Sequence, residues 1–172
     1  DANEMPKPLM WLPMDVDNSG ASQVWTKDER FGLPKDQLLH CSYGQSSLYR
    51  VFHETVNGQV QGGVTKIPFP ALTSSAFRAR FNPADGQLFI GGLRGWQTNA
   101  ATMQAFHRIR YTGKDVTIPD KLEATKKGIF IRFEKKLDPE TVNDVFSFKV
   151  KRWKYIRSSM YGSGEFSIDN PD

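Results

Sequence analysis

Extended segments of period-two alternation recur from one end of this chain to the other, cut by Gly, Pro, Asn and Asp, while helical periodicity is scarce. That pattern confines the fold to antiparallel β-structure, because apolar residues at every second position suit a pleated strand with one buried face. Gln23–Thr26, Gln37–Tyr43, Ser47–Glu54 and Gly63–Pro68 read as four strands, with Asn57-Gly58 between the last two as a two-residue hairpin turn. Phe77, Ala79 and Phe81 then alternate with Arg78, Arg80 and Asn82, and Asn82-Pro83-Ala84-Asp85-Gly86 carries turn chemistry with Gly86 suited to positive φ. Leu88-Phe89-Ile90 reads as a strand buried on both faces, and Phe106–Tyr111 as the strand after it.

The two runs, about residues 22–70 and 74–112, lie close to the ~40–50-residue spacing of propeller blades. Beyond Ile118-Pro119 the pattern changes: Leu122–Thr125, Gly128–Phe133 and Phe146–Val150 alternate as strands. Between the last two, Leu137–Val142 reads as one helical turn with Asp138 capping and Pro139 in the first position. The expected fold class is therefore all-β: antiparallel meanders as β-propeller blades over residues 1–113, then a partial immunoglobulin-like β-sandwich over 114–172. Such a sandwich takes roughly 100 residues, so about half of it would be present.

Composition narrows the function. The 172 residues carry 23 Lys and Arg against 19 Asp and Glu, a net charge of +4, and no apolar run approaches the ~18 residues of a membrane helix. Neither a disordered tail nor a membrane partner is expected. Basic residues concentrate in the last third, with Lys149, Lys151, Arg152 and Lys154 interleaved with Trp153 and Tyr155. A solvated strand face explains such a strip more economically than a phosphate-binding one, so nucleic acid is not expected as a partner. The single cysteine, Cys41, excludes an internal disulfide and a cysteine metal cage, and on its Leu-His-Cys strand reads as a small buried hydrophobe.

Three constellations carry chemistry. Asp15-Val16-Asp17-Asn18-Ser19-Gly20 places oxygen donors at alternate positions, as the opening of a calcium loop does, with Asp15, Asp17 and Ser19 as ligands. The EF-hand form fails because Thr26 stands where the bidentate carboxylate belongs. A calcium site completed from elsewhere and an Asx-turn are the two remaining readings. His40 and Ser42 share one face of a strand, but parallel side chains at i and i+2 are poorly aimed at each other, so a serine-hydrolase pair is not expected. The third set is Arg78, Arg80, Arg94, Trp96, Gln97 and Asn99: guanidinium forks, amide donors and acceptors, and a flat indole on which a sugar ring stacks. The competing reading buries Trp96 as a plug between blades and pairs the arginines with Asp85 and glutamates.

The stretch Phe81–Gln97, which contains Gly92-Leu93-Arg94-Gly95-Trp96-Gln97, and Arg108–Gly113 resemble the large secreted proteins of Planctomycetes and Verrucomicrobia that combine a sorbosone-dehydrogenase-like β-propeller with a c-type haem-binding domain. The resemblance extends to Trp11-Leu12-Pro13 with Asp17-Asn18-Ser19, Ser42-Tyr43-Gly44, Gln61-Gly62-Gly63 and Trp153–Gly162. It implies a secreted or periplasmic protein carrying the last propeller blades and the start of an immunoglobulin-like module. No Cys-x-x-Cys-His occurs, so haem c is expected only in a separate domain or partner, and no cofactor is expected in this chain unless it is calcium. The expected function is an accessory, non-catalytic portion of a dehydrogenase-like assembly. Its partners would be the remaining blades or another protein chain, with a carbohydrate-binding β-module built on Trp96 as the alternative.

Overall fold

The computed structural model describes residues 7–169. Nine strands form three separate antiparallel sheets, and no closed barrel forms among the described residues. The first sheet runs β1 (Gly20–Trp25), β2 (Leu38–Ser42), β3 (Ser47–Val56), β4 (Gln59–Lys66), each strand paired with the next. The second is β5 (Arg78–Phe81), β6 (Leu88–Leu93), β7 (Gln104–Ile109), and the third the hairpin β8 (Pro119–Thr125) and β9 (Gly128–Phe133). Asn57 and Gly58, both at positive φ (50° and 79°), close the β3–β4 turn, and their mirror-image twist matches the strands they join. Gly86 takes the expected positive φ of 70° before β6.

The core lies between the first two sheets. Val24, Leu39, Cys41 and Leu48 from the first sheet pack with Ala79, Leu88 and Ile90 from the second, and Phe31, Leu33, Leu72 and Ala76 close the ends. β1 runs beside β5, so the first strands of the two meanders lie together. Polar ties hold the pair in register. Arg30, pinned by Asp28 at 2.7 Å, donates to the carbonyls of Pro83 (2.9 Å) and Ala84 (2.8 Å) on the β5–β6 turn. Gly92 lets the chain pass under the Ser75 carbonyl, because a Cβ there would lie 1.9 Å from that oxygen.

The opposite face of the first sheet is covered by the segment before β1. Tyr49 Oη donates to the Val16 carbonyl at 2.5 Å, and the Asp17 side chain reaches His40 and Ser42 on β2. Residues near the end of the described chain clasp that segment in turn: Trp11 packs on Tyr155 at 3.9 Å between ring centroids, and Tyr161 Oη donates to the Asn18 carbonyl. The β8–β9 hairpin leans on the first sheet through Arg50, which donates to the Pro119 carbonyl, and Glu54, which accepts from the Ala124 amide.

Three expectations need correction. Phe89 is only partly buried, since the second sheet has the core on one side alone; Leu88 and Ile90 face it while Phe89 stacks on Phe106 outside. Phe146–Val150 is not a strand. Asp144 accepts from the Phe146 amide and closes a short 3-10 turn over Val145–Ser147, and Phe146 stands 93% exposed. Alternation alone cannot make a strand without a neighbour to complete its ladder. For the same reason the basic strip Lys149–Tyr155 is irregular apart from one bridge between Lys154 and Phe166. The helical turn is as expected: α1 (Pro139–Asn143) begins at Pro139 with Asp138 as its cap. Among the described residues no helix is long and apolar enough to cross a membrane.

Candidate functional site

Tyr43, at the end of β2, organises the loop that follows β6. Its hydroxyl accepts from the Gly95 and Trp96 amides, both at 2.9 Å, and its carbonyl accepts from Thr98 Oγ1 at 2.8 Å. Asn99 N–H donates to the Gly44 carbonyl, Asn99 Nδ2 to the Gln45 carbonyl, and Asn18 Nδ2 to the Gln97 carbonyl. A loop fixed by six hydrogen bonds in this way presents Trp96 to solvent, 62% exposed. The plug reading fails: an indole so placed is supported by its backbone, not by its burial.

Arg78 and Arg80 project from β5 on the side away from the core, since Ala79 between them is buried. Across the sheet Arg80 faces Phe89 and then Arg108, while Arg78 faces Gly91 and then Phe106. The Arg78 guanidinium lies 4.1 Å over the Phe77 ring, and Phe77 meets Tyr43 edge to face at 5.8 Å. Arg78, Phe77, Tyr43 and the Trp96 loop thus form one connected line. None of Arg78, Arg80 and Arg94 has a carboxylate within 4.0 Å among the described residues. Asp85 instead accepts from the Gln87 amide. Beside Arg78, an open shelf of about 600 Å³ is lined by Gly91, Leu93, Gln104 and Phe106. The sequence reading found the arginines and Trp96 but missed Phe106 and Arg108, which join the set only through strand register.

Asn99 and Gln97 are both tied into the loop. The Asn99 amide nitrogen is spent on Gln45, and Gln97 is held through its backbone, leaving only its side chain for a ligand. Arg80 and Arg78 each also donate to a neighbouring backbone carbonyl, Ala79 and Phe77.

Asp17 lies against the same end of β2, beside Ser42, its side chain 2% exposed. Oδ2 meets His40 Nε2 at 2.5 Å, and Oδ1 accepts from Ser42 Oγ at 2.5 Å and from the Ser19 amide at 3.0 Å, the last closing an Asx-turn. Burial pulls the Asp17 pKa upward, but the hydrogen bonds from His40, Ser42 and Ser19 together with the His40 ring's charge outweigh it and hold the carboxyl below its ordinary value. His40 and Ser42 do converge, on Asp17 and not on each other; with His40 Nε2 on Asp17 and Nδ1 against Gln23, the imidazole does not face the buried Ser42 hydroxyl. Calcium at Asp15, Asp17 and Ser19 would have to displace three donors from Asp17, and no group of three or more His, Cys, Asp or Glu side chains suited to a metal gathers among the described residues. Covalent haem c does not fit either, since Cys41 is buried, without a second cysteine, and its thiol pKa is pushed up by desolvation.

Compared with family models, curated proteins and solved structures, the chain matches none.

Proposed function

We propose that this chain is a non-catalytic binding portion of a larger secreted or periplasmic assembly of the dehydrogenase-like propeller kind that its sequence resembles. In that reading the two core-sharing meanders are adjacent blades, and a partner polypeptide continues the ring. The observation that carries the proposal is the far edge of β7. β7 pairs with β6 on one side and with no described strand on the other, and Phe106 on it is 73% exposed. A free edge with a large apolar side chain is a template for another strand. The apolar groups of Ile129–Ile131 and Val145–Val150 are exposed as well, which suits burial against further protein. Haem and electron transfer belong, on this proposal, to a separate domain or partner.

A photo-crosslinking phenylalanine analogue at position 106, in cells that make the full chain, tests the reading. The expected product is a covalent adduct with a second polypeptide. Folded protein that yields only unlinked chain contradicts it.

The carbohydrate reading is favoured by one specific observation, the exposed Trp96 held on a hydrogen-bonded loop and linked through Tyr43 and Phe77 to Arg78. Affinity electrophoresis through acidic and neutral polysaccharide gels separates the two. Retardation abolished by Trp96→Ala supports sugar binding, and migration unchanged from a sugar-free gel removes it.

A further inference from the structure

Arg50 is a buried guanidinium with no ion-pair contact, and the carboxylates of Asp120 and Glu134 favour its charge only from a distance. It lies on β3, 4% exposed, with no carboxylate within 4.0 Å among the described residues. Its partners are neutral: Nε and Nη2 donate to Gln37 Oε1 at 3.1 and 2.7 Å, and Nη1 donates to the Pro119 carbonyl at 3.1 Å. An arginine has five N–H donors, so one remains on each terminal nitrogen. Taking a cation out of water is costly unless an anion compensates it, and desolvation accordingly pulls the Arg50 pKa down.

The same guanidinium lines a cleft of about 480 Å³, within the range of small-molecule sites. One side of the cleft is apolar, with Ile67, Pro68, Phe69 and Pro70 after β4 facing Tyr111 and Ile118. The charges on its lining do not cancel. Asp120 is held by Arg132 at 2.7 Å and Asp115 by Lys135 at 2.9 Å. Arg50, Arg110 and Lys114 then outnumber Glu134, the one carboxylate on the lining without an ion-pair partner, with Asp120 shared between Arg132 and the more distant Arg50. An apolar wall, a positive excess and a desolvated guanidinium with spare donors are together complementary to one kind of ligand.

We propose that this cleft binds a small amphipathic organic anion of the carboxylate class, its oxyanion at Arg50 and its apolar body against Phe69 and Tyr111. This site shares no residue with the Trp96 loop and touches β7 only at its last residue, Ile109. A charge-assisted pair with a desolvated guanidinium is what distinguishes an anion from its uncharged analogue.

Octanoate and octanol are the probes, followed by backbone amide shifts in the full-length chain. The expected result is octanoate binding at least about tenfold more tightly than octanol, with shifts centred on Arg50, Phe69, Tyr111 and Ile118. Arg50→Gln removes that preference while octanol binding persists, and Tyr111→Ala weakens both probes alike. Should Arg50→Gln fail to fold, the wild-type pair of probes decides alone. Octanoate no tighter than octanol, no shift with octanoate at roughly 10 mM, the weak end of the affinity scale, or shifts confined to the exposed residues 142–150 overturns the proposal.

Discussion

Asp17 and Tyr43 show how single side chains set this structure. Asp17 gathers His40, Ser42 and the Ser19 amide, so Asp17→Ala leaves His40 Nε2 and the buried Ser42 hydroxyl proton without their shared partner and lowers the unfolding free energy by about 3 kcal/mol. The expected readout is a lower denaturant midpoint with unchanged slope. Because the folded-state pKa of Asp17 is depressed below 3.8, its contribution is complete above that value and is lost as pH falls through the folded-state pKa. The gap between wild type and Asp17→Ala therefore closes on acidification, whereas a gap that stays constant from neutral pH down to pH ~2 contradicts the latch. Tyr43→Phe removes one hydroxyl that serves two amides; it costs about 1–2 kcal/mol and speeds amide exchange at Gly95 and Trp96 before that of the core strands. The Asx-turn from Asp17 to Ser19 was legible, but the reach of Asp17 to His40 and Ser42 and the role of Tyr43 were not, since these connect positions more than twenty residues apart that share no periodic pattern. Arg50 was hidden for the same reason: its burial depends on Gln37 and Pro119, which reach it through the fold.

At the level of elements, what was legible is what local chemistry dictates. Alternation located β2 through β9, Asn57-Gly58 set the β3–β4 hairpin, and Asp138-Pro139 started α1, because each depends on residues within a few positions of one another. Phe146–Val150 misled because a strand also needs a partner, which no local pattern announces, and the Asp144 side chain captured the Phe146 amide first. The packing of the two meanders was likewise invisible, although it has a clear dependence on Gly92. Gly92→Ala forces the Ser75 carbonyl away from β6, so it should destabilise by about 2 kcal/mol, chiefly by loosening the second sheet. Hydrogen exchange that accelerates in β5–β7 before β2 and β3 bears this out; uniform acceleration over both sheets means they unfold as one unit and the local account is wrong.

The whole molecule pairs a well-formed interior with unfinished margins. Two sheets bury one shared core, while the β7 edge, the β9 side chains and the Val145–Val150 segment face solvent. A two-stranded hairpin such as β8–β9 has little stability of its own, and here it rests on Arg50 and Glu54. The proposed function at this scale is recognition: it rests on an exposed indole on a tethered loop, on Arg78, Arg80 and Arg94 without a carboxylate in contact among the described residues, and on apolar edges suited to more protein. Substituting Val145, Phe146 and Val150 together with serine should raise solubility and leave the melting temperature of the core almost unchanged, because these side chains bury nothing. A marked loss of thermal stability would show that they support the fold. The central claim, that these margins are completed by another chain, is tested most directly by light scattering on the protein as purified from cells that make it, over a wide range of concentration. The account predicts a mass well above 19.5 kDa, from self-pairing or a retained partner; a constant 19.5 kDa at every concentration, with no loss of folded structure, contradicts it.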